Sequence, residues 1–134
     1  MTGPMDGYTV VDISAVVSGP FCAQVLADQG AHVIKIEPLG IGDITRSGGF
    51  RTEGISAMFL SCNRGKHSVA LDLSQEAGID AVKRLVADAD VFIQNFRPGA
   101  VDRMGIGADD LMELNPDLVY VSISGFGPTG PYSQ

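Results

Sequence analysis

Short apolar runs rich in β-branched residues alternate with stretches of helical spacing, and glycine, proline and asparagine stand at the junctions. Residues 9–13 predict a first strand, ended by Ser18-Gly19-Pro20, where Pro20 suits a first helical turn and Ser18 can cap its amides. Phe21, Gln24, Val25 and Leu26 carry that helix to a stop at Gly30. Residues 32–37 predict a second strand, closed by Pro38 and Gly40. Residues 40–54 are rich in glycine and polar side chains and read as a long functional loop, followed by one or two helical turns over 56–61. A third strand is expected over 67–73. Ser74 then caps a helix whose Ile79, Val82, Leu85 and Val86 share one face. Residues 91–94 predict a fourth strand, 100–104 a short helical turn, and 108–114 a helix stopped by Asn115-Pro116. The fifth strand covers 118–124 and runs into Gly125-Phe126-Gly127-Pro128-Thr129-Gly130-Pro131.

Five strands separated by helices predict an α/β fold with a doubly wound parallel sheet. Residues 91–93 and 118–121 are apolar without alternation, as expected where helices cover both sheet faces. Sheets of this kind bind ligands outside the carboxyl ends of their strands. Residues 15–18, 37–40, 71–74, 95–99 and 124–130 fall at that edge. Two polar runs, Gln94-Asn95-Phe96-Arg97-Pro98-Gly99 and Asn63-Arg64-Gly65-Lys66, are expected at or near it.

The 134 residues suffice for one domain with a buried core, and 45% hydrophobic with 19% charged residues is a soluble globular composition. A net charge of −7 argues against nucleic acid as a partner, because phosphate backbones want a basic face. No apolar run approaches the ~20 residues a bilayer span requires, and no charged-then-apolar leader opens the chain, so a cytoplasmic protein with no membrane partner is expected. Cys22 and Cys62 lie in no CxxC or Cys/His spacing. Both read as structural, Cys22 buried in its helix and Cys62 partly exposed before the Asn63 turn.

Arg64, Lys66, Arg97 and Arg103 are the cations that can gather into one local anion site. Asn95 offers a donor and an acceptor, Phe96 a flat face for a purine, and Arg97 a fork for phosphate oxygens. An ordinary strand-to-helix turn with Phe96 packed inward fits the same spacing. Arg64, Lys66 and His67 place three potential cations within four residues, either as a solvated loop or for a ligand with several phosphates. Neither GxxxxGK[ST] nor GxGxxG is present. Asp43 beside Arg46 reads as a surface ion pair, and Asp109, Asp110 and Glu113 suit the dipole of their helix. His32 and His67 have no evident carboxylate or nucleophile, and no GxSxG, acid/base pair or metal-ligand cluster stands out. The 125–131 run is either a source of amides for a thioester carbonyl or a rigid exit loop.

Several segments occur together and in order. They are Val10-Val11-Asp12 with Ser18-Gly19-Pro20, Gly30 through Glu37, Gly42-Asp43-Ile44-Thr45-Arg46, and Asn63-Arg64-Gly65-Lys66 through Leu71-Asp72-Leu73. Asn95-Phe96-Arg97-Pro98-Gly99 through Gly105, Asn115-Pro116 and the 125–131 run complete them. This set resembles the class III CoA-transferase family, the group of formyl-CoA and carnitine-CoA transferases, with α-methylacyl-CoA racemases as a sister branch.

The resemblance implies that residues 1–134 form the amino-terminal part of a Rossmann-like large domain, incomplete until later chain returns to it, in an interlocked homodimer. It implies coenzyme A or acyl-CoA as substrate, with no permanently bound cofactor and no metal, and a carboxylic acid as the second substrate. The chemistry implied passes through an acylated aspartate and an aspartyl-CoA thioester. That aspartate is expected beyond residue 134, so neither Asp43 nor Asp72 takes its role and the fragment alone is expected to be inactive. CoA contacts are implied at Val17 and Ser18, at Leu71, Asp72, Leu73 and Ser74 around the adenine, at Asn95, Phe96 and Arg97, and at Arg103 near the phosphates. Val17 stands where some transferases have a glutamine. Pro38 stands where an arginine is frequent, a loss that Arg64 or Lys66 is expected to offset. The long insert over 40–63 resembles the transferases more than the racemases. Two alternatives stay open: a racemase whose His and acidic residue lie downstream, and a non-catalytic nucleotide-binding or assembly module.

Overall fold

The computed structural model describes residues 3–133. In chain order the elements are β1 (Thr9–Asp12), α1 (Ser18–Asp28), β2 (His32–Glu37), β3 (Arg51–Thr52), β4 (Ile55–Ser56), α2 (Ala57–Asn63) and β5 (Lys66–Ala70). They continue with α3 (Glu76–Val86), β6 (Val91–Gln94), α4 (Ala100–Arg103), α5 (Ala108–Leu114) and β7 (Val119–Ser122). Five strands form one parallel sheet in the order β5-β2-β1-β6-β7, while β3 and β4 make a separate hairpin. Val10 lies opposite Val33 on one side and Val91 on the other. The chain steps outward from β1 through β2 to β5, then returns to the other side of β1 for β6 and β7. The strand order therefore reverses between β1 and β6, where a doubly wound sheet opens a crevice. This is the expected α/β fold, an incomplete Rossmann-like sheet.

Both sheet faces are packed. Val11, Phe92, Val82, Val86 and Leu111 fill the layer that α3 and α5 cover, and Val10, Val33, Ile93 and Ala23 fill the layer beneath α1. β6 is buried throughout, whereas among the described residues β7 is an edge strand with Val119 58% exposed. The cysteines also exchange roles. Cys62 is buried where the end of α2 meets α1, and Cys22 is only half-buried.

Helix starts depart from expectation in two places. Val17 occupies the N-cap of α1, leaving Ser18 inside the first turn with no capping bond. Gln75 is the N-cap of α3, because Ser74 turns its N–H and hydroxyl to the Asp72 carboxylate instead. Residues 40–54 are likewise more ordered than a loop. A 3-10 turn at Ile44–Arg46 and the β3–β4 hairpin lie within or across that stretch, and Ser56 Oγ then caps α2 by accepting from Phe59 N–H at 3.3 Å.

A buried polar cluster fastens this excursion to the sheet. Gly42 (φ 64) lets the chain double back after β2, with its N–H donating to Pro38 O at 3.1 Å. Asp43 then reaches Lys35 at 3.1 Å, and Arg46 forks onto Glu37 at 2.6 and 2.7 Å. Asp43 and Arg46 are thus not each other's surface partner: Asp43 is buried and the two residues serve different strand residues. Glu37 also accepts from Asp43 N–H at 2.7 Å and Ser68 Oγ at 2.6 Å.

Burial alone would raise the Glu37 pKa. The hydrogen bonds from Arg46, Ser68 and the Asp43 amide, with the Arg46 charge, outweigh it and hold Glu37 at about 2 against an ordinary 4.5. A depressed carboxylate contributes stability that is fully present above its unfolded pKa and lost as pH falls through its folded one. Glu37 therefore contributes about 3 kcal/mol at neutral pH that drains away between roughly pH 4.5 and 2. Urea unfolding at pH 7 and pH 3 checks this: the fall in stability should be clearly smaller in Glu37→Gln than in the parent.

Gly19 sets the approach of α1 to the turn that follows β1. An added Cβ would collide with Ser14 Cβ and Oγ, whereas one at Gly125 would meet open space. Gly19→Ala should cost about 1–3 kcal/mol in urea unfolding while Gly125→Ala stays near the parent. Equal stabilities would contradict the tight contact between α1 and Ser14.

Candidate functional site

The crevice between the ends of β1 and β6 is bridged by one side chain. Asn95 follows β6 directly; its Oδ1 accepts from Ala15 N–H at 2.9 Å and its Nδ2 donates to Ala15 O at 2.8 Å. The same Nδ2 lies 3.4 Å from Ser18 Oγ. Asn95 therefore joins the two turns on either side of the switch point. The next residue is aimed by Gln94, whose Oε1 accepts from Phe96 N–H at 2.8 Å while its Nε2 donates to Ser122 Oγ at 2.8 Å. Gly99 (φ 77) then turns the chain into α4.

Beside this bridge lies a cleft of about 460 Å³, within the range of small-molecule sites. Ile13, Leu39, Leu71, Leu73 and Phe96 give it apolar walls, and Lys35, Glu37 and Asp43 border it at the polar cluster. Asp72 stands at the rim. Its carboxylate accepts from Ser74 N–H at 2.9 Å and Ser74 Oγ at 2.6 Å, and these bonds lower its pKa. Among the described residues no protein group bonds the Leu73 backbone. A slot with aliphatic sides, an aromatic ring and a free peptide edge suits a flat heterocycle that stacks and hydrogen-bonds along one side.

A neighbouring groove of about 380 Å³ is lined by Ser18, Asn95, Phe96, Arg97, Pro98 and Ser124. Phe96 is common to both cavities. The Arg97 side chain is exposed and forms no ion pair or hydrogen bond among the described residues, although the Arg97 carbonyl accepts from Ala100 N–H at 3.0 Å. Arg103 is also exposed and folds back over the same turn, since a Cβ at Gly99 would lie 3.2 Å from its Nη1.

The sequence-derived candidates thus divide. Leu71, Asp72, Leu73 and Phe96 share the cleft, and Ser18, Asn95 and Arg97 share the groove, with Arg103 on the adjoining helix. Val17 and Ser74 are exposed beside these cavities and line neither. Arg64 and Lys66 do not join them. Although the Lys66 ammonium reaches Asp12 at the end of β1, the backbone of the Asn63–Lys66 run leads into β5 and so lies at the amino edge of the sheet. There Arg64 pairs with Asp28 at 2.5 Å. Lys66 is buried and spends its three N–H groups on Asp12 (2.8 Å), Pro20 O (2.8 Å) and Asn63 Oδ1 (2.9 Å), and desolvation lowers its pKa.

Reasoning from sequence missed Lys35, Glu37 and Asp43 at the cleft. The available signal was a lysine inside the apolar run of β2, since a charge on a covered strand must find a buried partner. Asp43 is no free nucleophile: Thr45 N–H and Oγ1 occupy Oδ1 at 2.9 and 2.7 Å, while Val16 N–H (3.3 Å) and Lys35 occupy Oδ2. His32 and His67 stack across β2 and β5 with centroids 4.7 Å apart. Among the described residues no group of three or more His, Cys, Asp or Glu could hold a metal ion.

The family model for CoA-transferase family III matches residues 5–134. Acetyl-CoA:oxalate CoA-transferase of Acetobacter aceti is 46% identical over 132 residues, 98% of this chain and 34% of its own length. Human succinyl-CoA:glutarate CoA-transferase is 42% identical over 132 residues, 98% of this chain and 30% of its own. A crystal structure of a CAIB/BAIF family protein from Brucella suis aligns with a TM-score of 0.92 at 45% identity, covering 99% of this chain and 36% of that one. The chain spans about a third of the length of the curated relatives it matches. With the family match running through the strands, the switch-point crevice and the Arg97 turn alike, this chain belongs to CoA-transferase family III.

Proposed function

We propose that this chain supplies the coenzyme A-binding face of an acyl-CoA transferase that moves CoA between carboxylic acids. The observation that carries the reading is the continuity, through Phe96, of an apolar slot with a groove holding an unpartnered arginine, at the point where strand order reverses. Adenine occupies the slot between the Leu71–Leu73 edge and Phe96. The phosphates lie toward Arg97 and Arg103, whose guanidinium forks suit anionic oxygens. CoA enters as a substrate and leaves, so no resident cofactor is part of the reading.

Residues 1–134 then act as one part of a large domain, and the acyl-accepting aspartate is supplied from outside them. In support, Asp43 has its oxygens filled by four donors and Asp72 is turned to Ser74. The excursion over 40–63 favours intermolecular transfer over racemisation. The working enzyme is a cytoplasmic homodimer in this reading. Exposed Phe21, Leu39, Ile41 and Leu60 supply apolar surface for further chain to cover, and no helix of the described residues is long and apolar enough to cross a membrane.

Calorimetric titration tests the binding half of the proposal. CoA should bind more tightly than ADP, and Arg97→Ala should weaken CoA binding roughly tenfold, the loss of one charge-assisted contact. Equal weak binding of both ligands, insensitive to Arg97→Ala and Arg103→Ala, would mean a generic nucleotide module instead. The chemical half predicts no transfer by residues 1–134 alone from succinyl-CoA or formyl-CoA to an acid. Turnover above the uncatalysed rate would place the nucleophile inside this segment.

A further inference from the structure

Two non-glycine residues among those described have positive φ: Glu53 (φ 53), in the β3–β4 hairpin before Gly54 (φ 83), and Val16 (φ 72). A hairpin tip commonly adopts this conformation. A β-branched residue rarely does, because its side chain crowds the backbone. Val16 is 44% exposed, so burial of its side chain does not hold it there. It lies between β1 and α1, on the lip of the crevice.

The backbone on each side is tied down by side chains from elsewhere. Lys35 Nζ donates to Ser14 O at 2.8 Å, and Asn95 makes its two bonds to Ala15. Val16 N–H itself donates to Asp43 Oδ2 at 3.3 Å. That oxygen is held in place by Lys35 at 3.1 Å, and the other carboxylate oxygen by Thr45. Asp43 is thus the residue through which the 40–63 excursion grips the crevice turn.

We infer that Asp43, braced by Lys35, is a positioning residue that holds Val16 in its left-handed conformation and so fixes the 15–18 turn for coenzyme binding. It acts through the Val16 amide and touches no reacting atom. The inference rests on the coenzyme reading given above, and its test separates the two. Glycine takes a positive φ without the crowding valine suffers, so a turn with glycine at position 16 no longer needs the tie.

Asp43→Asn should weaken CoA binding roughly tenfold, the scale of one strained backbone residue released. It should also speed hydrogen exchange of the Val16 amide. Adding Val16→Gly to Asp43→Asn should restore most of the affinity, a rescue that a purely structural role through Thr45 would not give. Unchanged affinity in folded Asp43→Asn, or no recovery in the double variant, overturns the inference. Should Asp43→Asn fail to fold because Lys35 is stranded without a counter-charge, Lys35→Met with Asp43→Asn removes both charges, and the same comparison is made with Val16→Gly added. If the parent binds no CoA, the coenzyme reading fails and the Val16 amide decides alone. Slow exchange in the parent and fast exchange on loss of the Asp43 charge then uphold the positioning role; fast exchange in both defeats it.

Discussion

The structure depends on a charge that cannot reach water. Lys35 stands at the middle of β2, 1% exposed, and an ammonium there is tolerable only with counter-charges and acceptors in place. It finds Asp43 at 3.1 Å, Ser14 O at 2.8 Å and Asp12 at 4.0 Å. Asp12 is in turn shared with Lys66, and Glu37 with Arg46. Three cations face three carboxylates, so the cluster is electrically balanced while its members come from β1, β2, β5 and the excursion after β2. Breaking one pair would strand its partner, which couples the excursion after β2 to the sheet.

That coupling explains how a fold assembled from parallel strands acquires a shaped cleft. Topology alone provides a crevice at the β1–β6 junction, but its outer wall belongs to Pro38, Leu39 and the β5–α3 turn. The outer wall follows the position of β2 and of the excursion, both fixed by Lys35 and Glu37. An apolar slot above a satisfied polar floor resists collapse, since filling it with neighbouring side chains would require the floor to lose its hydrogen bonds.

Strand identity was legible because β-branched runs and helical spacing are local properties. All five sheet strands overlap the expected runs, although the third stops at Ala70 and leaves Leu71, Asp72 and Leu73 to the turn. Phe96, Leu71 and Leu73 were legible for a related reason, since turns after parallel strands must gather at one edge. The polar cluster was less so. Asp43 and Arg46 are three residues apart, and proximity in sequence suggested a pair that the Gly42 turn replaces with two pairings to β2. Lys66 resembled a phosphate ligand until its three-dimensional neighbours used all its protons.

The distribution of cations carries the argument from stability to recognition. Of nine Lys and Arg residues, Lys35, Arg46, Arg64 and Lys66 are paired with carboxylates. Lys83 and Arg84 lie in the last turn of α3 and Arg103 in that of α4, where a helix dipole favours positive charge. Arg51 donates to Arg46 O at 3.4 Å. Arg97 has no such use among the described residues, in a chain with sixteen acidic side chains available to pair with it. It stands in the turn after β6, between Asn95, which is bonded to Ala15, and Gly99, and it lines grooves on more than one side. A guanidinium kept out of the internal ion pairs adds little to folding, and on the coenzyme reading proposed above its interaction energy is available to an anion arriving from solution.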